Sequence, residues 1–285
     1  MPKVFFITGA GSGIGRVTAR YLLERGYRVF LTDYNSAFLD DTCTKHLPSA
    51  LSPEFQSNFK WALMDTTNHA QVVDAIKKCA NEFGSIDVLI NNAGINSQYM
   101  RAGIRMDQVP TSDFEHVLQV NLVGTYRVSQ QAIPYLAKSP GGGVIVNLSS
   151  CRATQQGKHG EAYTASKAGI EGLTMAMSVS LGPDIRVHAI SPGMVDVRSE
   201  RDESALPDVN TIREDLSRDF QSEHAPQWGA GKSQALHDAH PVGRIGKGDD
   251  VARWIEFLSV TEAGFTTGGT YLVDGGYSKT LVYPN

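Results

Sequence analysis

Tyr163 and Lys167 stand four residues apart in the stretch "EAYTASKAG", Glu161 to Gly169. A free tyrosine has a pKa of about 10 and a free lysine about 10.4, so neither alone exchanges protons usefully at neutral pH. At i and i+4 of a helix they share one face. A protonated ammonium beside a phenol favours the phenolate and lowers the phenol pKa. The pair can therefore act as a tuned proton donor and acceptor. Taken alone, it reads equally well as a core tyrosine beside a surface lysine.

Other residues bear on the choice. Ser150 ends the apolar run "VIVNLSS", thirteen positions before Tyr163. The C-terminal ends of parallel strands face the crevice where open α/β sheets bind ligands. A hydroxyl there can hydrogen-bond a substrate oxygen and steady developing charge. Ser149 is its rival, and suits a turn hydrogen bond. Asn121 is a polar residue inside the apolar helical run "VLQVNLVGTY". If buried, its amide needs partners.

A second constellation lies near the N-terminus. "ITGAGSGIGR" follows an apolar run and opens a helical pattern, with Gly9, Gly11, Gly13 and Gly15 around Ser12 and Ile14. A helix N-terminus offers unpaired N–H groups and a positive dipole end to phosphate. Glycine lets the backbone turn tightly and approach a pyrophosphate. The strand–loop–helix context marks a nucleotide-binding loop. Asp33 ends the next apolar run, "RVFLTD", where a carboxylate can accept both adenosine ribose hydroxyls and repel a 2′-phosphate. Ser12 offers no positive charge to such a phosphate. Both features favour NAD over NADP.

These residues need a scaffold. Short apolar runs ("KVFFIT", "RVFLTD", "KWALMD", "IDVLI", "GGVIVNL", "IRVHAIS", "TYLVD") alternate with amphipathic helical stretches. The helical stretches include Ile14–Arg25, one helix around Phe114–Leu136, and one over Tyr163–Leu181. That alternation predicts an α/β fold: one Rossmann-like domain over residues 1–285, with a doubly wound seven-stranded parallel sheet and helices on both faces. Asp196–His240 is polar, has few aliphatics and no strand signal. It reads as an insertion of one or two short helices over the C-terminal ends of the strands.

Bulk properties exclude other classes. The 285-residue chain is 41% apolar and 20% charged with a formal net charge of −4, which gives no electrostatic case for nucleic acid or an anionic membrane. Cys43, Cys79 and Cys151 are too few and too widely spaced for a disulfide framework or a metal site, and read as reduced thiols. No run is long enough to span a bilayer, and the N-terminus has no secretory pattern, so a cytoplasmic protein is expected.

Taken in order, the motifs resemble the classical short-chain dehydrogenase/reductase family. They are "TGAGSGIG" (Thr8–Gly15), "NNAG" (Asn91–Gly94), Asn121, "NLSS" (Asn147–Ser150), "YTASK" (Tyr163–Lys167) and "SPG" (Ser191–Gly193). The resemblance runs from Lys3 to about Ser278, excepting Asp196–His240. It implies an NAD-dependent oxidoreductase, an alcohol dehydrogenase or ketoreductase. Tyr163 would be its acid/base, and Lys167 would tune Tyr163 and hold the nicotinamide ribose. Ser150 would position the substrate oxygen, and Asn121 would hold a water in a relay behind Lys167. Asn92, Ala93 and Gly94 would border the adenosine side, and Asp65 with Thr66 the adenine; Asp65 reads equally as the cap of the following helix. Pro192, Gly193 and Val195 would border the nicotinamide. Asp196 and Val197 stand where the family often has a cofactor-binding threonine. The family's helix pairing predicts a homodimer or homotetramer, with Leu173, Met175, Met177 and Val179 as apolar residues beyond one helix face.

Two alternatives remain open at this point: an NADPH-dependent biosynthetic ketoreductase, and a non-redox or purely cofactor-binding member of the same fold. Specificity should lie after "NNAG", between Ser150 and Tyr163, and in Asp196–His240. Arg101, Arg105, Arg198 and Arg201 could meet an acidic substrate, although such residues are more often solvated. Trp228 could cap an apolar one. A polyketide or steroid-like ketone fits a site of this kind.

Overall fold

The computed structural model describes residues 2–101, 103–155, 157–197 and 233–279. Its strands are β1 (Val4–Thr8), β2 (Arg28–Asp33), β3 (Phe59–Leu63), β4 (Val88–Asn91), β5 (Gly143–Leu148), β6 (Ile185–Pro192), β7 (Val195–Asp196), β8 (Gly246–Lys247) and β9 (Thr270–Val273). Among the described residues the α-helices are α1 (Gly13–Leu23), α2 (Ser36–Asp41), α3 (Leu47–Ala50), α4 (His69–Phe83) and α5 (Gln98–Arg101), then α6 (Thr111–Leu118), α7 (Gly124–Leu136), α8 (Glu161–Ser180), α9 (Gln234–Asp238) and α10 (Gly248–Ser259).

Seven strands form the expected sheet, in the order β3-β2-β1-β4-β5-β6-β9, and every pairing is parallel. β1 and β5 are buried along their whole length, as apolar strands covered on both faces must be. Strand alternation divides them between two cores. Phe5 and Ile7 pack with Leu22 and Leu23 of α1 and Val251 and Ile255 of α10. Val4 and Phe6 pack with Val72 and Ile76 of α4 and Val128 and Ala132 of α7. The chain runs outward from β1 to β3, then returns to β4 on the other side of β1. That reversal makes the C-terminal ends of β1 and β4 the switch point of the Rossmann-like fold, where a crevice opens.

The expectations are refined in places. The helix around Phe114–Leu136 is present and runs without a break from Thr111 to Leu136, with a π-helical turn at Gln119–Val123 between α6 and α7. Asp65 does not cap the following helix: Asn68 does, its side chain accepting from the Gln71 N–H. At the edge of the Asp196–His240 segment, Asp196 itself ends β7, which pairs with β8 through Val195–Gly246 and Asp196–Lys247. α9 begins at Gln234. The rest of the expected insertion, residues 198–232 with Arg198, Arg201 and Trp228, lies outside the described residues. The three cysteines are free and buried, as expected.

Candidate active site

The nucleotide-binding loop is shaped by steric exclusion. A Cβ on Gly15 would fall 2.3 Å from the Gly9 carbonyl oxygen and 2.5 Å from Asn92 Nδ2. Gly9 has φ +63°, and its Cβ would meet the Ala93 Cα at 2.8 Å. Only glycine fits either place. Asn92 locks the arrangement, its Nδ2 donating to the carbonyls of Thr8 and Gly9 at 2.9 and 2.8 Å. The N–H groups of Asn92 and Ala93 donate to Thr8 Oγ1. The loop opens α1 at Gly13 (φ +56°), and the Ser12 side chain makes no cap. The first turn of α1 thus keeps its N–H groups for a ligand. This cradle fits a dinucleotide pyrophosphate.

Asp33 is buried at the end of β2 and faces the loop. Its Oδ2 accepts the Gly11 N–H at 3.0 Å and its Oδ1 the Asn35 N–H at 2.9 Å. Burial pushes its carboxyl above the usual carboxylate value, and the N–H groups of Asn35, Gly11 and Tyr34 oppose that shift. Asp65 and Thr66 follow β3. Asp65 Oδ1 accepts from the Thr67 N–H and Oγ1, both at 2.8 Å, and the Thr66 carbonyl accepts from Arg127 Nη1.

A cleft of about 580 Å3 lies beyond the loop, and it gathers many of the residues singled out by sequence. Ile14, Asn92, Gly94, Ser150, Tyr163, Lys167, Pro192, Gly193 and Val195 all line it. Gly9, Gly11, Ser12, Gly13, Gly15, Asp33, Asp65, Thr66, Ala93 and Asn121 do not. Met100, Arg152, Gln155, Met194 and Tyr277 also line it, none of them singled out by residue in the sequence. Met100 falls in the loop after "NNAG" and Arg152 and Gln155 in the Ser150–Tyr163 stretch, both marked for specificity; Tyr277 had no local signal. Arg105, a candidate for an acidic substrate, instead pairs with Asp107 on the surface.

α8 carries Tyr163 and Lys167 on one face, with Nζ 5.5 Å from the centre of the phenol ring. Lys167 is buried, and Nζ donates to the Leu148 carbonyl at 2.7 Å. Burial pushes its pKa down to about 8. The two serines are separated by their hydrogen bonds. Ser149 Oγ is within reach of the Lys167 carbonyl at 3.1 Å and Glu171 Oε1 at 2.9 Å, so it belongs to α8. Ser150 Oγ accepts the Arg152 N–H at 3.2 Å and lies within hydrogen-bonding reach of the Cys151 thiol, and the residue lines the cleft.

Asn121 sits fully buried in the π-helical turn, a distortion frequent at functional sites. Its amide pairs with the Ile95 backbone in both directions, Nδ2 to the carbonyl at 2.9 Å and Oδ1 from the N–H at 2.8 Å. It thereby fixes Gly94, whose missing Cβ would stand 3.3 Å from Asn121 Oδ1 and 3.4 Å from Lys167 Nζ. Beneath the site runs a buried polar chain the sequence reading did not assign. Asn91 Nδ2 reaches Asn147 Oδ1 at 2.8 Å and Ser129 Oγ at 2.9 Å, and Asn147 Nδ2 reaches Thr174 Oγ1 at 2.9 Å. It ties β4 and β5 to α7 and α8 at the level of the cleft.

The comparisons with known proteins bear on the family and the fold. A family model described as short chain dehydrogenase matches residues 3–207. The 3-oxoacyl-[acyl-carrier-protein] reductase FabG of Thermotoga maritima is 31% identical over 96% of this chain and 97% of its own. The 3-ketoacyl-(acyl-carrier-protein) reductase of Brucella melitensis, solved with NADH, superposes with a TM-score of 0.76 at 27% identity, covering 97% of this chain and 98% of its own. ElxO with NADP bound gives 0.77 at 28%, covering 98% of this chain and 100% of its own. The chain belongs to the classical short-chain dehydrogenase/reductase family, and is an oxidoreductase of that family.

Proposed function

We propose that the protein interconverts a secondary alcohol and a ketone, using NAD in preference to NADP. The observation that carries this reading is Tyr163 on one helical face with buried Lys167, in the same cleft as Ser150. The nicotinamide ring, when bound, would supply or accept the hydride. The glycine loop at Gly9–Gly15 would hold its pyrophosphate. Pro192, Gly193 and Val195, at the end of β6, would border the ring.

Tyr163 gives its phenolic proton to the carbonyl oxygen during reduction, and takes the hydroxyl proton during oxidation. Ser150 donates a hydrogen bond to the same oxygen and stabilises charge developing there. Lys167 holds a positive charge behind the phenol. Its link to the Leu148 carbonyl fixes where that charge sits. Asn121 holds the Gly94–Ile95 backbone against Lys167, a place suited to a water-borne proton relay.

The preference for NAD rests on Asp33. It is buried beside the loop, and neither neighbouring position carries a cation: Ser12 precedes Gly13 and Tyr34 follows Asp33. The test is direct. NADH and NADPH consumption with a panel of ketones, and NAD and NADP reduction with secondary alcohols, should show turnover favouring NADH and NAD. No redox turnover with any of them would overturn the assignment in favour of a binding or non-redox role.

A further inference from the structure

The cleft contains a second cation that the chemistry above does not use. Arg152 follows Ser150 by two residues and lines the same cavity as Tyr163 and Lys167. Its backbone is anchored to the chemistry twice. Its N–H donates to Ser150 Oγ at 3.2 Å, and its carbonyl accepts from Oγ1 of Thr164, the neighbour of Tyr163, at 3.2 Å. Its partly buried side chain has a poor partner. Nη1 lies 3.3 Å from Met100 Sδ, and a thioether is a weak acceptor. Among the described residues no carboxylate pairs with the guanidinium, and no Asp or Glu lines the cleft.

The surroundings leave room for the guanidinium. A Cβ on Gly157 would stand 3.3 Å from Arg152 Nη2, and one on Gly160 3.7 Å from Nη1. Its neighbours Met100, Gly157, Gly160 and Thr164 belong to the segments after β4 and β5, and none to the glycine loop. That places the charge with the substrate and away from the cofactor phosphates. A guanidinium drawn partly out of water without an anion is unfavourable until one arrives.

We infer that Arg152 binds a carboxylate of the substrate, which makes the substrates keto acids and hydroxy acids. The inference rests on the oxidoreductase reading above. The planar fork of the guanidinium can take both carboxylate oxygens. With Ser150 fixed two residues away, the acid end would be held while Ser150 and Tyr163 engage the carbonyl.

The probes are 4-oxopentanoate, 5-oxohexanoate and 6-oxoheptanoate, each beside its methyl ester. Calorimetry on the coenzyme-saturated full chain gives binding, and coenzyme consumption gives kcat/KM. Wild type should favour at least one acid over its ester by at least about tenfold. Arg152→Gln should bring that ratio to about one. Arg152→Lys should keep part of it, since the charge remains but the fork does not. A purely structural role would not track the acid-to-ester ratio. The inference is overturned if wild type shows no acid preference at any length, or if Arg152→Gln keeps the wild-type ratio. Ester turnover without acid preference would overturn it and leave the oxidoreductase reading intact. Acid-selective binding without any coenzyme oxidation would uphold the arginine and overturn that reading instead.

Discussion

The ammonium of Lys167 donates to the Leu148 carbonyl across 2.7 Å, so the end of β5 holds the charge that faces Tyr163. The charge is buried, and burial lowers its pKa from 10.5 to about 8. The unfolded chain therefore holds this proton more tightly than the folded one between those values. Lys167 then lowers stability below about pH 8, and that cost fades as pH rises through the window. Lys167→Met removes the titration while keeping a side chain of similar length. Wild type should gain stability relative to this variant as pH rises from about 7 to about 10. Denaturant melts of both proteins across that range check it, and a constant or shrinking advantage would contradict the buried-charge account.

Tyr163→Phe keeps the ring and removes the proton. The expected result is a loss of at least about a hundredfold in kcat, the usual range for general acid–base catalysis. Coenzyme affinity should change little, because the loop at Gly9–Gly15 is untouched. Near-wild-type turnover in steady-state kinetics would rule out Tyr163 as the acid.

Much of the sheet and several residues of the candidate site were legible because each leaves a short-range mark. β1 and β5 are continuous apolar runs, and Tyr163 and Lys167 differ by one helical turn. The rest depends on contacts between distant segments. Nothing local shows that Asn92 clamps the carbonyls of Thr8 and Gly9, or that Asn121 pairs with Ile95. The helical region from Ser36 to Ala50 did carry a signal: Leu39, Cys43 and Leu47 recur every four residues and are buried. A spacing of four without threes drifts around an α-helix, and the π-helical turn at Thr42–His46 is where the chain absorbs it.

The homodimer or homotetramer expected from the sequence is tested at the apolar residues that α7 and α8 leave uncovered. Of the four residues marked by sequence, Met177 is buried and Leu173 packs against the core. Met175 and Val179 are 57% and 83% exposed, and Tyr126 of α7 is 51% exposed. A homodimer or homotetramer through this face would cover them. Light scattering at micromolar concentration should give a multiple of 30.9 kDa. Val179→Lys should shift it toward the monomer, and a monomeric wild type would refute the assembly.

Asp33→Ala should weaken NAD binding by roughly one to two orders of magnitude, the scale of a lost charge-assisted hydrogen bond. It should also relieve the repulsion of the NADP 2′-phosphate, so the two coenzymes converge. Full reversal is not expected, because Ser12 and Tyr34 supply no cation. The measurement is kcat/KM for both coenzymes in both proteins. A wild type that prefers NADPH, or an unchanged preference in the variant, would remove Asp33 as the selector.

Gly15→Ala tests the cradle itself. The new methyl would fall 2.3 Å from the Gly9 oxygen and 2.5 Å from Asn92 Nδ2, so the loop or the start of α1 must move. Overpacking of this kind typically costs about 1–3 kcal/mol. Displacing the N–H groups should also lower NADH affinity at least about tenfold if they hold the pyrophosphate. Gly84→Ala is the control: it has φ +81°, but nothing lies within 4 Å of its Cβ, far from the loop at the end of α4. It should lower Tm through backbone strain alone and leave NADH affinity as in wild type. Fluorescence titration with NADH, beside thermal melts, separates the two effects. If both alanines reduce stability while neither changes affinity, the glycine loop is a turn and not a phosphate cradle.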